Sequence, residues 1–399
     1  MSHYAVLVVL PGKPTKGALD RALAPWHEFS GTGYDHEYVV EEDVTADALD
    51  TIKKWSETRV RDASGTLHDP YDSEGELKPL FSRYDAERDR HFFHVPEGFE
   101  EIKMSLSETG VSIPEWIADY HGMKTLRAGE TPDYLGDHKY GYVTVDDDGR
   151  IVSVTKRTNP NGKWDYWTLG GRYSGRLKPH YDPEKDPDNQ EECFICDGTG
   201  RRDDEIGREQ RQRKPEYRCN GCDGKGTRPK WPSKWTDVGN TSRWGDLDME
   251  ALRVSSVATR RAWIDEMRSG AGLTMEEFET GHSARKAAHL VWQELPEPRP
   301  RGPEYSDWLR STQPEGDLAA KVRIADTWSD VDTTVAEWIE AAPPLSAYAV
   351  VMNGEWLSRG KMGWFGVSTG ETDEWPEHFE RILSTIPDDH YVAFVDCHT

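Results

Sequence analysis

Two short runs of this chain pair cysteines at the spacing of metal ligands: Cys193-Phe194-Ile195-Cys196-Asp197-Gly198-Thr199-Gly200 and Cys219-Asn220-Gly221-Cys222-Asp223-Gly224-Lys225-Gly226. Each CxxCxGxG copy sets two thiolates on a tight knuckle, and two knuckles together complete a tetrahedral four-cysteine zinc site. The glycines permit the turn that aims backbone N–H groups at the sulfurs. With every ligand supplied by protein, the expected Zn2+, one per chain, has no open position and is structural. Around and between the knuckles lie Arg201, Arg202, Arg211, Arg213, Lys214 and Arg218. Such a cluster can bind nucleic acid or an acidic partner, or it is a solvated hairpin balanced by Asp203, Asp204, Glu205 and Glu209.

Outside this ribbon, His27, Glu28, Asp165, Asp246, Asp248, Asp396, Cys397 and His398 can converge as metal ligands or as acid, base and nucleophile. Cys397 beside His398 suggests thiol catalysis, but neighbours on a strand face opposite sides, so another base, such as His27, would have to approach the thiol. Plainer roles compete: Asp246 can cap a helix, and Cys397 can be a small core residue. Gly170-Gly171-Arg172 can cradle an anion through backbone N–H groups and the guanidinium, or it is simply a turn. Trp164, Asp165 and Trp364 complete the candidate ligand-binding set.

The two cysteine modules resemble the cysteine-rich domain of DnaJ-type chaperones, which carries four such modules and two zincs. The resemblance covers residues 193 to 226 alone, and without a His-Pro-Asp motif no co-chaperone role follows from it. Other segments carry a different likeness: the Met1-Ser2-His3 start, Trp164-Asp165-Tyr166-Trp167 running to Gly170-Gly171-Arg172-Tyr173, Gly245-Asp246-Leu247-Asp248, and Val395-Asp396-Cys397-His398. In these the chain resembles a family of uncharacterised bacteriophage-encoded proteins. The likeness implies a phage accessory protein acting in the cytoplasm of the infected cell, and it leaves residues 182 to 231 outside as an insertion.

The elements that must position these groups read as α+β, with strands from both ends of the chain paired in a mixed sheet that encloses helices. A buried strand is expected over residues 4 to 10, a helix from Thr45 with Ala48, Ile52 and Trp55 on one face, and a short helix from Pro114 through Trp116, Ile117 and Tyr120 to Gly122. Residues 58 to 92 read as a long loop or a small insertion. Tyr140–Val145 and Arg150–Thr155 flank an Asp-Gly turn and form a hairpin. Helices are expected from Asp246 to Met267, from Thr274 to Trp292, and across residues 316 to 341 with a break near Asp332. The tail alternates strand, Asn353-Gly354 turn, strand, helix with Trp375, Phe379, Ile382, Leu383 and Ile386 on one stripe, and a last strand from Tyr391. This gives a main domain in two parts, 1–181 and 232–399, around an inserted ribbon at 182–231.

Seventy-three acidic against 49 basic residues, a formal charge of −24, argue against a general duplex-binding surface. No apolar stretch is long enough to span a bilayer. Paired CxxC motifs suit a reducing cytoplasm. The expected function is binding of a host protein or a small charged ligand. The alternatives are a hydrolase or transferase acting on nucleotides or nucleic acid through the Asp/His/Cys set, and a nucleic-acid binder using the ribbon.

Overall fold

The computed structural model describes residues 2–28, 37–71, 78–85, 90–296, 299–300, 303–312, 314–322, 334–362, 368–370 and 374–399. Its elements are mixed α+β, and the chain divides into two compact units: Met1–Ala22 with Tyr166–Thr399, and Leu23–Asp165. These boundaries differ from those read at 182 and 231, and residues 182–231 lie inside the first unit.

In the first unit the strand His3–Leu10 runs antiparallel to Tyr391–His398 on one side and parallel to Ala349–Met352 on the other. Glu355–Ser358 continues the sheet beyond Ala349–Met352, while Tyr166–Leu169 and Thr241–Arg243 share the far edge of Tyr391–His398. The run from Tyr4 to Val9 is apolar without alternation because both of its faces are buried. On one face Ala5, Leu7, Val9, Val350, Val392 and Phe394 pack against the helix Trp375–Ser384. The expected stripe is there: Trp375, Phe379, Ile382, Leu383 and the following Ile386 are all buried. Each such side chain contributes about 1.5–3 kcal/mol by leaving water.

Asn353 and Gly354, with φ of 53° and 78°, make the tight turn between Ala349–Met352 and Glu355–Ser358. The helix Met249–Gly270 starts at Asp248, whose carboxylate accepts from the Ala251 N–H at 2.9 Å. Asp248, not Asp246, is therefore the cap. Thr274 and Glu277 form a capping box at the head of Met275–Gln293. The apolar run read over 316 to 341 yields two short helices, Gly316–Lys321 and Val335–Glu340, and the expected break falls outside the described residues.

The second unit sets the helices Thr45–Lys54 and Ile113–Tyr120 on a four-stranded sheet around Ala48, Ile117, Ala118, Met123, Val143 and Val154. Gly141–Val145 and Ile151–Thr158 are the expected hairpin. In its turn, one Asp146 carboxylate oxygen accepts from the N–H groups of Asp148 at 3.0 Å and Arg150 at 2.7 Å. Thr45 opens its helix, but its hydroxyl accepts from the Val154 N–H at 2.8 Å. The stretch read as loop or insertion holds all but the first residue of the strand Glu57–Arg61, which pairs with Leu67–His68 and Glu100–Met104. Val60 is the one buried residue of that strand, so no apolar alternation marked it. Among the described residues no helix is long and apolar enough to cross a membrane.

Candidate functional site

The four ribbon cysteines come together. The Sγ atoms of Cys193 and Cys219 are 3.9 Å apart, those of Cys196 and Cys222 3.7 Å, and all four lie within 4.8 Å of one another. Ligands ~2.3 Å from one tetrahedral ion stand ~3.8 Å from each other, so this spacing suits four sulfurs around a single metal. Among the described residues this is the one such group of His, Cys, Asp and Glu ligand atoms.

The two knuckles repeat each other at the level of single hydrogen bonds. The Cys193 N–H donates to the Gly226 carbonyl and the Cys219 N–H to the Gly200 carbonyl, both at 2.9 Å. The Gly226 N–H donates to Cys222 Sγ at 3.3 Å. At φ of +71° and +79°, Gly200 and Gly226 have no room for a side chain: a Cβ would lie 2.3 Å from the Gly224 oxygen and 2.2 Å from the Gly198 oxygen. Burial pushes the Cys196 thiol up to about 12 and raises Cys219 as well. Burial acts the same way on Cys222, but the Gly226 N–H and the neighbouring thiols bring it down to about 7. Several buried thiols resist ionising together until a cation joins them.

At the neck, Gln190–Glu192 pairs antiparallel with Thr227–Pro229, and Arg228 meets Glu191 directly across the ladder at 2.8 Å. The Arg228 guanidinium also lies over the Phe194 ring at 4.2 Å. Asn189, fully buried, donates to the Pro183 carbonyl at 3.0 Å and accepts from the Thr236 N–H at 2.8 Å, tying together the segments on either side of the ribbon.

Most of the basic cluster is occupied in holding the ribbon together. Arg202 binds Asp204, Arg201 and Arg211 both reach Asp203, and Arg213 pairs with Glu209 on the helix Glu205–Arg213. Lys214 and Arg218 are exposed and carry no ion pair among the described residues. Over residues 182–231 acidic side chains slightly outnumber basic ones.

A second polar centre lies at one end of the first unit's sheet, where three separate segments meet. Register places His3 across from His398, Ala5 across from Asp396, Tyr166 across from His398 and Thr168 across from Asp396. Asp396 is 4% exposed. One of its carboxylate oxygens binds His3 Nδ1 at 2.9 Å, and the other accepts from the Arg172 N–H at 2.9 Å. The cradle read in Gly170-Gly171-Arg172 therefore holds an anion, and that anion is the protein's own Asp396. Gly171, at φ +53°, is the residue that allows it, because a Cβ there would sit 2.5 Å from the carboxylate.

The Tyr173 hydroxyl donates to the His3 carbonyl at 3.0 Å, and burial together with the Asp396 charge pushes this phenol up to about 12. Tyr166 stacks on His398 with ring centroids 4.4 Å apart, and the His3 ring meets His398 edge-on at 4.9 Å. Tyr166 Oη lies 3.4 Å from His3 Nε2.

No family model, curated protein or solved structure matches this chain. The reading of the site therefore rests on its own geometry.

The remaining candidates are dispersed. His27, Glu28, Trp164 and Asp165 belong to the second unit. There the His27 and Trp164 rings pack edge to face at 4.7 Å, the Trp164 Nε1–H donates to the Leu23 carbonyl at 3.2 Å, and Asn159 donates to the carbonyls of Pro25 and His27. Trp164 is thus a buried packing residue. In the first unit Asp246 is exposed, 3.9 Å from Arg243, and Asp248 is the helix cap. Cys397 is wholly buried, with Tyr4 and Trp167 as its register partners. Trp364 lies outside the described residues. His3, the partner of Asp396, escaped the sequence reading; its signal was a polar residue at the mouth of an apolar strand, two places from the position that faces Asp396.

Proposed function

We propose that this chain is a zinc-ribbon protein that works by binding: a phage-type accessory factor that engages a host protein or a small charged ligand in the host cytoplasm. The observation carrying this reading is the four-sulfur centre. Its ligands are buried, all from protein, and spaced for one tetrahedral ion, which suits a Zn2+ that holds a recognition module in shape. The positions of the other candidates support the same reading, since Asp248 caps a helix and Cys397 is a core residue.

The test has two parts. Elemental analysis of the purified chain should find one zinc per molecule, and a value near zero sinks the metal assignment. Purified candidate ligands or host proteins should then bind the native chain directly and bind Cys219→Ser more weakly; equal binding by both removes the ribbon from recognition.

A second reading has one specific observation in its favour. The His3–Asp396 contact is the carboxylate-imidazole arrangement that orients a general base, and it suits a hydrolase or transferase acting on nucleotides or nucleic acid. Phosphoester turnover by the purified protein that is lost in Asp396→Asn would put this reading ahead of the first.

A further inference from the structure

We infer that Asp396, His3 and Tyr166 form a proton relay that makes the Tyr166 phenol a nucleophile toward phosphate esters. The inference goes beyond the binding reading and rests on the second reading for its substrate class alone.

The direction of the relay follows from the hydrogen-bond inventory of its members. A carboxylate accepts only, so the contact between Asp396 Oδ1 and His3 Nδ1 at 2.9 Å puts the imidazole proton on Nδ1. In the neutral ring Nε2 is then an acceptor. The group it meets is Tyr166 Oη at 3.4 Å, so the phenol donates to the imidazole, which donates to the carboxylate. One end of this chain is buried, with the Asp396 side chain at 5% exposure, and the other is open, with Tyr166 at 46%.

Each member is held in place from outside the relay. The Arg172 N–H fixes the second carboxylate oxygen, the Tyr173 hydroxyl fixes the His3 backbone, and His398 stacks under the Tyr166 ring. His3, Tyr166, Asp396 and His398 all sit on strands paired in register, and Arg172 and Tyr173 reach them from the short turn that follows Tyr166–Leu169, which is the support a base and its nucleophile need.

Charge supports that substrate class. Arg172, whose backbone holds Asp396, has an exposed side chain with no ion pair among the described residues, and its charge acts on the neighbouring Tyr173 phenol. A cation on the segment that holds Asp396 suits an anionic phosphate substrate better than a neutral ester.

Tyr166 Oη attacks phosphorus while its proton passes to His3 Nε2. The Oη–P bond forms as the bond from phosphorus to the leaving alkoxide breaks, and His3 returns the proton to that alkoxide. Asp396 stabilises the imidazolium in between; a phosphodiester substrate leaves a phosphodiester on Tyr166, and a phosphomonoester leaves a tyrosyl phosphate.

Diisopropyl fluorophosphate tests this on the full-length zinc-loaded chain, because its P–F bond breaks as Oη–P forms. Peptide mass spectrometry then measures the labelling rate of each tyrosine. Tyr71 and Tyr120, at 61% and 60% exposure, are more accessible than Tyr166, so exposure alone predicts that they react first. Activation predicts that Tyr166 reacts about a hundredfold faster than either. In His3→Gln that advantage should disappear while circular dichroism stays native.

Tyr166 reacting no faster than Tyr120 in the native protein overturns the relay, and this comparison needs no variant to fold. Unchanged labelling in a folded His3→Gln chain overturns it as well. If Tyr166 labels as expected but nucleotides and single-stranded DNA are not turned over, the second reading fails while the relay stands.

Discussion

The four-cysteine ribbon and the Asp396 centre solve the same electrostatic problem in opposite ways. Both surround buried anionic groups with backbone N–H donors offered by glycine-rich turns: Gly226 on Cys222 Sγ in the ribbon, Arg172 on Asp396 in the sheet. In the ribbon the ligands come from two copies of one local motif 26 residues apart. In the sheet they come from segments separated by as many as 393 positions. A local site depends on a metal to be stable; a dispersed one depends on the register of a whole sheet.

Removing the proposed zinc should have the largest effect and divides the two regions most cleanly. Structural zinc binding is worth on the order of 10 kcal/mol, so chelation or Cys219→Ser should abolish hydrogen-exchange protection across residues 190–229. Protection of His3–Leu10 and Tyr391–His398 should persist. If both strands lose protection too, ribbon and sheet are one cooperative unit and the contrast between them fails.

Gly171→Ala is the converse experiment. The new Cβ would press on Asp396 at a positive φ, so the variant should lose about 3 kcal/mol in urea unfolding yet keep its full zinc content. Loss of zinc in this variant would show that the two sites are coupled.

Acid provides a baseline from a part of the first unit that belongs to neither site. Burial and then the Lys286 charge hold His282 down at about 4, against 6.5 for an ordinary histidine. The unfolded chain therefore takes up this proton first. Stability from this group is complete above pH ~6.5 and is lost as pH falls toward ~4, by about 2 kcal/mol. A folded His282→Gln chain should show a flatter urea midpoint across that window; an identical slope would reassign the effect.

The smallest change is at the neck. Arg228→Ala removes both the Glu191 pair and the contact with the Phe194 ring, and should cost the ribbon about 1 kcal/mol, read as a modest rise in zinc release rate. No change would mean that the metal alone closes the hairpin.

The contrast also explains what could be read from the residues. The ribbon was legible because its chemistry is contiguous: ligand spacing, glycine positions and repetition all occur within one stretch. The apolar stripe from Trp375 to Ile386 and the hairpin around Gly149 were legible for the same reason. The strand Glu57–Arg61 was not, because only Val60 is buried and its charged neighbours carry no period.

At the Asp396 centre the parts were recognised but not their assembly. Asp396, His398 and the Gly170-Gly171-Arg172 turn were all candidates, yet strand register, which no single segment encodes, brings His3 into hydrogen-bond reach. The same lack of register information made the turn look ready for an outside anion when Asp396 already fills it.

The position of His3–Leu10 bears on the order of events during synthesis. It lies between Ala349–Met352 and Tyr391–His398, so both of its neighbours leave the ribosome some 340 or more residues after it does. At ~5–20 residues per second this strand, with both faces apolar, waits on the order of tens of seconds for its partners. The cysteine hairpin can close within a few seconds of its second knuckle emerging. Nascent chains arrested before residue 349 should therefore already hold metal while the strand from Tyr4 to Val9 remains available to chaperones.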